Sequence, residues 1–305
     1  MKTKLIIFAL MIVCNVYAQQ DAQFTQYMYN TINVNPAYAG SRGVISAFVL
    51  HRTQWAGLDG APITNTASVH TPIGDSNFGA GLSIINDRIG ISDENNIAAD
   101  ISYTVKTSED YKLSFGLKIT ANLLSVDFSR LTLRKPSDYA IGQQYNINSK
   151  FSPNIGAGVY YHSDKTYVGI SVPQFLETRH YNDNSISVAT EKMHFYLIAG
   201  RVFKINNEVK FKTSALTKLV AGAPFQVDLS ANFLFNEKLT LGVAYRWSAA
   251  ISAMVGFQIT HSWNIGYGYD LETTKLANYN SGSHEIFLRY ELFRTYDKII
   301  SPRFF

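Results

Sequence analysis

The sequence predicts an all-β fold, a transmembrane antiparallel β-barrel of about fourteen strands, and three observations predict it. Two-residue alternation of apolar and polar side chains runs through most of the 305 residues. Aromatic residues, 13% of the chain, fringe the apolar faces, while Lys, Asp, Asn and Arg occupy the opposite faces in mid-strand. No run beyond the first eighteen residues approaches the ~20 consecutive apolar residues of a spanning helix. Apolar outward, polar inward and aromatic at the rims is the pattern of an outer-membrane barrel. A soluble sandwich or propeller is the rival that alternation alone leaves open. Charged residues, at 16%, fall short of the ~25% of soluble domains.

The chain begins with an export signal. Lys2 and Lys4 precede the apolar run Leu5 to Val13, and Val16-Tyr17-Ala18 supplies small residues at the two positions a signal peptidase reads. Cleavage after Ala18 removes both lysines and lowers the net charge from +4 to +2, too little for a nucleic-acid footprint. Cys14, the sole cysteine, lies in the signal behind Val13 rather than a small residue, which argues against a lipid anchor and leaves no disulfide. Residues 19–43 follow as a segment outside the alternating pattern, a lumen plug or a periplasmic docking element, and the barrel spans 44–305.

Fourteen strands are expected at about 44–51, 63–71, 78–86, 97–106, 111–124, 153–162, 166–173, 192–205, 208–217, 225–235, 238–247, 250–259, 263–271 and 284–294. The fourth is typical: Ile97, Ala99, Ile101, Tyr103 and Val105 face one way, and Ala98, Asp100, Ser102, Thr104 and Lys106 the other. Long connections at 52–62, 87–96, 125–152, 174–191 and 272–283 alternate with short ones such as Ser163 to Lys165 and Asn236-Glu237, although 218–224 and 248–249 are short on the long side. Long outer loops and short periplasmic turns are what a bacterial barrel shows, and an even strand number puts both ends of the sheet on the short-turn side. The last residues, Ser301 to Phe305, end on an aromatic like an assembly signal of such barrels. No Pro/Ser-rich linker or charge run divides the chain.

Three stretches carry a resemblance. Gln19-Gln20-Asp21-Ala22-Gln23-Phe24-Thr25-Gln26-Tyr27-Met28-Tyr29-Asn30 continues to Asn33-Val34-Asn35-Pro36-Ala37-Tyr38-Ala39-Gly40-Ser41. His51 to Pro62 follows, then Phe151-Ser152-Pro153-Asn154 leading into Gly156 to Tyr161, and Tyr167 to Pro173. In order and spacing these resemble the PorP/SprF family over essentially the whole mature chain, with Ala22 where the family usually has Pro. The resemblance implies an outer-membrane component of the Bacteroidetes type IX secretion system and gliding motility. Its implied partners are the C-terminal domain of a secreted adhesin, periplasmic ring components, and outer-membrane lipid. A role of the PorP type and one of the SprF type both remain open.

Phe24, Gln26, Tyr27, Met28, Tyr29 and Tyr38 stand in the N-terminal segment as candidate partner-binding residues; the aromatics and Met28 must bury their apolar groups against the lumen wall or against a partner. Arg52, Gln54, Trp55 and Asp59 are expected on the first outer loop, where cargo is met; Trp55 is equally an interface anchor. Ser68 and His70 share a strand face, but no acidic orienter accompanies them, so lumen polarity explains them better than a hydrolase dyad. Asp87, Asp93 and Glu94 lack the ordered ligand loop of a Ca²⁺ site, and the seven histidines lack the pairing of a zinc site. No cofactor motif is present, and the chain reads as a non-enzyme. The functional alternative is a general diffusion porin, for which Gly156, Gly158, Gly242, Gly266 and Gly268 leave lumen space unless the N-terminal segment fills it.

Overall fold

The computed structural model describes residues 23–131, 146–177 and 192–292. The signal segment, the terminal aromatic and much of the loops expected at 125–152 and 174–191 lie outside the described residues. Fourteen antiparallel strands form a closed barrel in which each strand pairs with its neighbours in sequence and the first closes on the last. They are β1 (Ile45–Thr53), β2 (Ile63–Pro72), β3 (Phe78–Ile89), β4 (Ser92–Lys106), β5 (Lys112–Val126), β6 (Ile147–His162), β7 (Thr166–Val172), β8 (His194–Lys204), β9 (Val209–Val220), β10 (Gln226–Phe235), β11 (Leu239–Arg246), β12 (Ala250–Gln258), β13 (Trp263–Glu272) and β14 (Ser283–Leu292). Closure gives every strand a neighbour on both sides, as a bilayer interior requires because it offers no water to satisfy backbone polar groups.

Burial is inverted relative to a soluble protein. Outward residues such as Leu117, Ile119 and Val243 are about 60% exposed, whereas inward Asp100, Ser114, Asn122 and Lys212 are buried. The two-residue period produces this directly: one face of every strand meets hydrocarbon and the other a polar lumen. Aromatic pairs sit on the outer face at the short-turn end, including Phe78 with Tyr103, Tyr111 with Tyr161, and Trp263 with Tyr290.

One expected loop is instead ladder. Residues 87–96 continue β3 and β4 to a tight turn at Gly90-Ile91, with pairing from Asp87 and Glu94 out to Ile89 and Ser92, and Gly90 takes a φ of +58°. Above Ile84 and Ile97 the outward positions become Asn86, Arg88, Asp93 and Asn95, so the strands outlast their apolar face. Similarly, β6 starts at Ile147 rather than 153. The β3–β6 wall, with strands of 12 to 16 residues, therefore rises above the 8- to 10-residue strands β10–β14 on the long-loop side.

The lumen is filled by the N-terminal segment, which folds as three short 3₁₀ turns at Tyr27–Tyr29, Thr31–Asn33 and Pro36–Tyr38. Asn35 caps the third: its side-chain oxygen accepts from the Ala37 amide at 3.0 Å, and Pro36 follows at a position that needs no amide proton. Tyr27, Met28, Tyr29, Ile32, Ala37 and Tyr38 form the core, together with Phe48, Tyr160 and Phe287 from the wall.

Wall glycines accommodate this segment. A Cβ at Gly116 would lie 2.1 Å from the Ala37 nitrogen and 2.4 Å from the Pro36 carbonyl carbon; one at Gly158 would lie 2.2 Å from the Asn35 side-chain oxygen. Gly268 faces Gln26, Gly156 faces Pro173, Gly242 faces Asn232, and Gly266 faces Phe287. The space these glycines leave is thus taken up by neighbouring groups rather than left as a channel. Gly116→Val is expected to push the third turn off the wall and destabilise the barrel by about 1–3 kcal/mol. Its neighbour Leu117, lipid-facing, takes Val without that effect. The urea midpoint of the two variants in detergent checks the difference.

Candidate partner-binding site

The segment threads the lumen from end to end. At the long-loop end the Thr25 and Gln26 amides donate to the two oxygens of Glu285 at 3.0 and 2.8 Å, and the Thr25 hydroxyl donates to Asp270 at 2.6 Å. Asp270 lies near the outer end of β13 and Glu285 at the start of β14. At the opposite end Arg42 is ion-paired with Glu291, near the end of β14, and donates to the Tyr38 hydroxyl at 3.1 Å. Gly40, beside the β2–β3 turn, donates its amide to His70 Nδ1 at 3.2 Å. The chain therefore enters at the long-loop mouth near Gln23, crosses to the short-turn end by Arg42, and turns back into β1.

Between these anchors the wall satisfies the segment's carbonyls. Lys118 donates to the Ile32 carbonyl at 3.3 Å, Ser171 to that of Val34 at 2.6 Å, and Ser102 to that of Ala39 at 2.7 Å. Irregular backbone at membrane depth is tolerated only with such internal partners. Lys118 is also paired with Asp100 at 3.0 Å and Arg246 with Asp228 at 3.0 Å, so these buried lumen charges come with counter-charges.

The sequence-predicted residues separate into three groups. Gln26, Met28, Tyr29 and Tyr38 are enclosed by the lumen wall: Tyr29 lies 4.7 Å from the Phe287 ring with the Arg289 guanidinium over its face, and Tyr38 meets Tyr160 edge-on at 5.5 Å. Phe24 and Tyr27 line a cavity of about 400 Å³ beside the segment, between the β3–β5 and β8–β10 walls. The third group lies at the mouth. Arg52, expected on a loop, is on β1 with its side chain inward and 1% exposed; it pairs with Asp270 at 2.7 Å and Glu285 at 3.2 Å and bonds Thr25 at 3.0 Å. β1 runs two residues past its expected end, which is why Arg52 belongs to the wall.

Trp55 ties the first loop to the last. Its amide donates to Ser283 and its indole N–H to Glu272 at 2.8 Å. Gln54 is half-buried beneath it, donating its amide to the Pro62 carbonyl at 2.9 Å, and Asp59 is exposed at the loop tip. Outside the membrane-spanning strands, Asp127 caps the turn after β5, and hydrogen bonds led by the Ser129 hydroxyl hold its carboxyl below its ordinary value.

Other candidates resolve into the same architecture. Ser68 donates to Asn30 at 3.0 Å while His70 accepts from Gly40, so both serve the threaded segment. Asp87 and Glu94 point inward, where Thr64 and Asn122 donate to them, but Asp93 points outward to Arg88, Asn86 and Asn95. The three carboxylates do not converge. The seam network of Arg52, Asp270 and Glu285 escapes sequence reasoning because Arg52 is more than 200 residues from both carboxylates. Their one sequence signal is that each is a charge on the polar face of a strand.

The family model described as "Type IX secretion system membrane protein PorP/SprF" matches residues 16–290. No curated protein matches the sequence. Among solved structures the chain is similar to outer membrane protein Omp33 of Acinetobacter baumannii, with a TM-score of 0.48 and 9% identity over 82% of this chain and 100% of that one. It is also similar to a Pseudomonas aeruginosa FadL homologue (0.46, 13%, 93% of this chain and 97% of that one) and to the P. putida toluene transporter TodX (0.46, 10%, 88% and 94%).

Proposed function

We propose, from the premise that this chain belongs to the PorP/SprF family of type IX secretion system membrane proteins, that it is a non-catalytic outer-membrane adaptor. It binds a secreted adhesin's C-terminal domain at the long-loop mouth, ring components from the periplasmic side, or both in succession, supporting secretion and surface attachment. The observation that carries this reading is the filled lumen: a segment anchored at Thr25 and again at Arg42 occupies the path a solute would take. A diffusion porin needs that path open, and its wall glycines are instead in contact with neighbouring groups.

The two mouths offer different surfaces. The long-loop side carries the tall β3–β6 wall, the Trp55-braced loop and the cavity flanked by Phe24 and Tyr27, relief that suits a protein partner. The periplasmic side presents short turns and the Arg42 end of the threaded segment. A tagged copy purified from native outer membranes in detergent is expected to retain a large secreted protein or ring components, identified by mass spectrometry. Recovery of the barrel alone, together with steady single-channel conductance, would replace the adaptor with a pore.

A further inference from the structure

We infer that the outer face of β14 and β1–β4, at the long-loop side, is a docking surface for the sugar headgroup of an outer-leaflet glycolipid. Apolar residues face outward from Leu113 to Leu123 on β5 and from Trp263 to Leu271 on β13. On the five strands between these two they stop sooner: at Ile286 on β14, Val49 on β1, Ala67 on β2, Ile84 on β3 and Ile97 on β4. From the Phe78 and Tyr103 pair up to Ile84 and Ile97 the strands cover ~20 Å of their own length. At a tilt of ~40° that is ~15 Å of membrane, against an apolar band of ~25 Å. Acyl chains on this face end early, and headgroups reach down to meet the wall.

What they meet is a hydrogen-bonded ladder. His51 Nδ1 lies 2.8 Å from the Asn65 side-chain oxygen, Asn65 donates to Asn86 at 3.4 Å, and Asn86 donates to Asn95 at 3.0 Å and to Asp93 at 2.9 Å. The second ring nitrogen of His51 lies 3.1 Å from the Thr53 hydroxyl, and register sets His284 of β14 opposite Thr53. His51 and Asn65 are exposed, and Asn86 and Asn95 half-exposed. Side chains of this kind lose their water if acyl chains cover them. The cation and anion beside them, Arg88 and Asp93, pair with each other at 3.5 Å, so the face is polar without an excess of charge.

The amides define the occupant. Each has two donor protons and an accepting oxygen, and Asn65 and Asn95 each spend one proton within the ladder. A sugar hydroxyl is donor and acceptor at once and matches a row of amides, whereas a phosphocholine headgroup brings acceptors and no N–H or O–H. The ladder stands directly above exposed Val49, Ile84 and Ile97 on the same strands, a surface that faces hydrocarbon. Continuity with that surface selects a sugar carried on a lipid over a soluble one. The face lies outside the lumen, so the inference is independent of what binds at the long-loop mouth.

The test uses the full-length barrel reconstituted in vesicles of phosphatidylcholine, phosphatidylglycerol and digalactosyldiacylglycerol in equal parts, then released in mild detergent for native mass spectrometry of the lipids that stay bound. Retention of the galactolipid about tenfold above its share is expected. Asn65→Leu combined with Asn86→Leu and Asn95→Leu should abolish the enrichment; if the triple variant fails to close on a heat-modifiable gel, Asn65→Leu alone should reduce it. Tyr245→Leu, outward on β11, should leave it unchanged. Retained lipid that mirrors the vesicle, or enrichment indifferent to the Asn substitutions, would overturn the inference. Preference for phosphatidylglycerol would overturn it in favour of charge, and displacement of the lipid by free galactobiose in favour of a soluble saccharide. Beyond the signal segment the chain has no cysteine, so Asn86→Cys adds a single thiol. Its oxidation to a disulfide-linked pair of barrels in native membranes would make the face a contact between two copies and overturn the inference as well.

Discussion

Excision of residues 24–40 is expected to convert a silent barrel into a conducting one. The excised stretch holds all three 3₁₀ turns and the core residues from Tyr27 to Tyr38, and the wall it uncovers carries Gly79, Gly81, Gly116 and Gly158 and small hydroxyl residues beside Phe48, Tyr160 and Phe287. Eight-stranded barrels fill with their own side chains and sixteen-stranded ones hold an aqueous channel; fourteen strands stripped of the segment belong with the latter. Planar-bilayer recording should change from no resolved steps to steady openings. A heat-modifiable gel shift shows whether the deleted protein still closes. A folded but silent barrel would mean that another element seals the lumen. Failure to close would make the segment a folding element, and Gly116→Val, which displaces only one turn, then separates the two roles.

Arg52→Ala should give the largest loss of stability of any single lumen substitution. Arg52 is the ion-pair partner of both Asp270 and Glu285, each about 2% exposed or less, so its removal leaves two buried carboxylates facing one another across the β13–β14 seam. Breaking a buried pair from one side costs about 3–5 kcal/mol. The urea midpoint, followed by tryptophan fluorescence, reads this. Replacing all three residues together, Arg52→Met with Asp270→Asn and Glu285→Gln, should recover most of the loss, because no unpaired charge is left. If the single variant unfolds with the unsubstituted protein, the network is dispensable and the seam is held by its backbone ladder alone.

How much of this was legible in the sequence depends on which physical signal each part left. All fourteen strands were found because lipid on one side and polar lumen on the other force a two-residue period that nothing else in the chain mimics. The extension of β3 and β4 looks like a loop in the sequence because that period comes from the lipid, not from the ladder. Once Asn86, Arg88, Asp93 and Asn95 leave the hydrocarbon, apolar residues are no longer required outward, yet the hydrogen bonds continue. The aromatic composition of the N-terminal segment gave away that it must be buried. Its direction did not show, since that depends on Thr25 meeting Asp270 and Glu285 across 245 and 260 residues of chain. The place of Arg52 on the wall is hidden for the same reason: a strand end is set by its partners, here His284 and Ile63 opposite Thr53.

The threaded segment precedes β1, and its anchors at the long-loop mouth belong to β13 and β14, the last two strands of the sheet. The chain is thus built so that the segment ahead of β1 acts as a mandrel around which the sheet is wound. The contacts that lock the mandrel in place become available only when the final hairpin arrives, and contacts spanning so much chain are slow to form. Closure and locking therefore depend on the same hairpin: a cylinder that has not received it has not yet captured the segment that fills it.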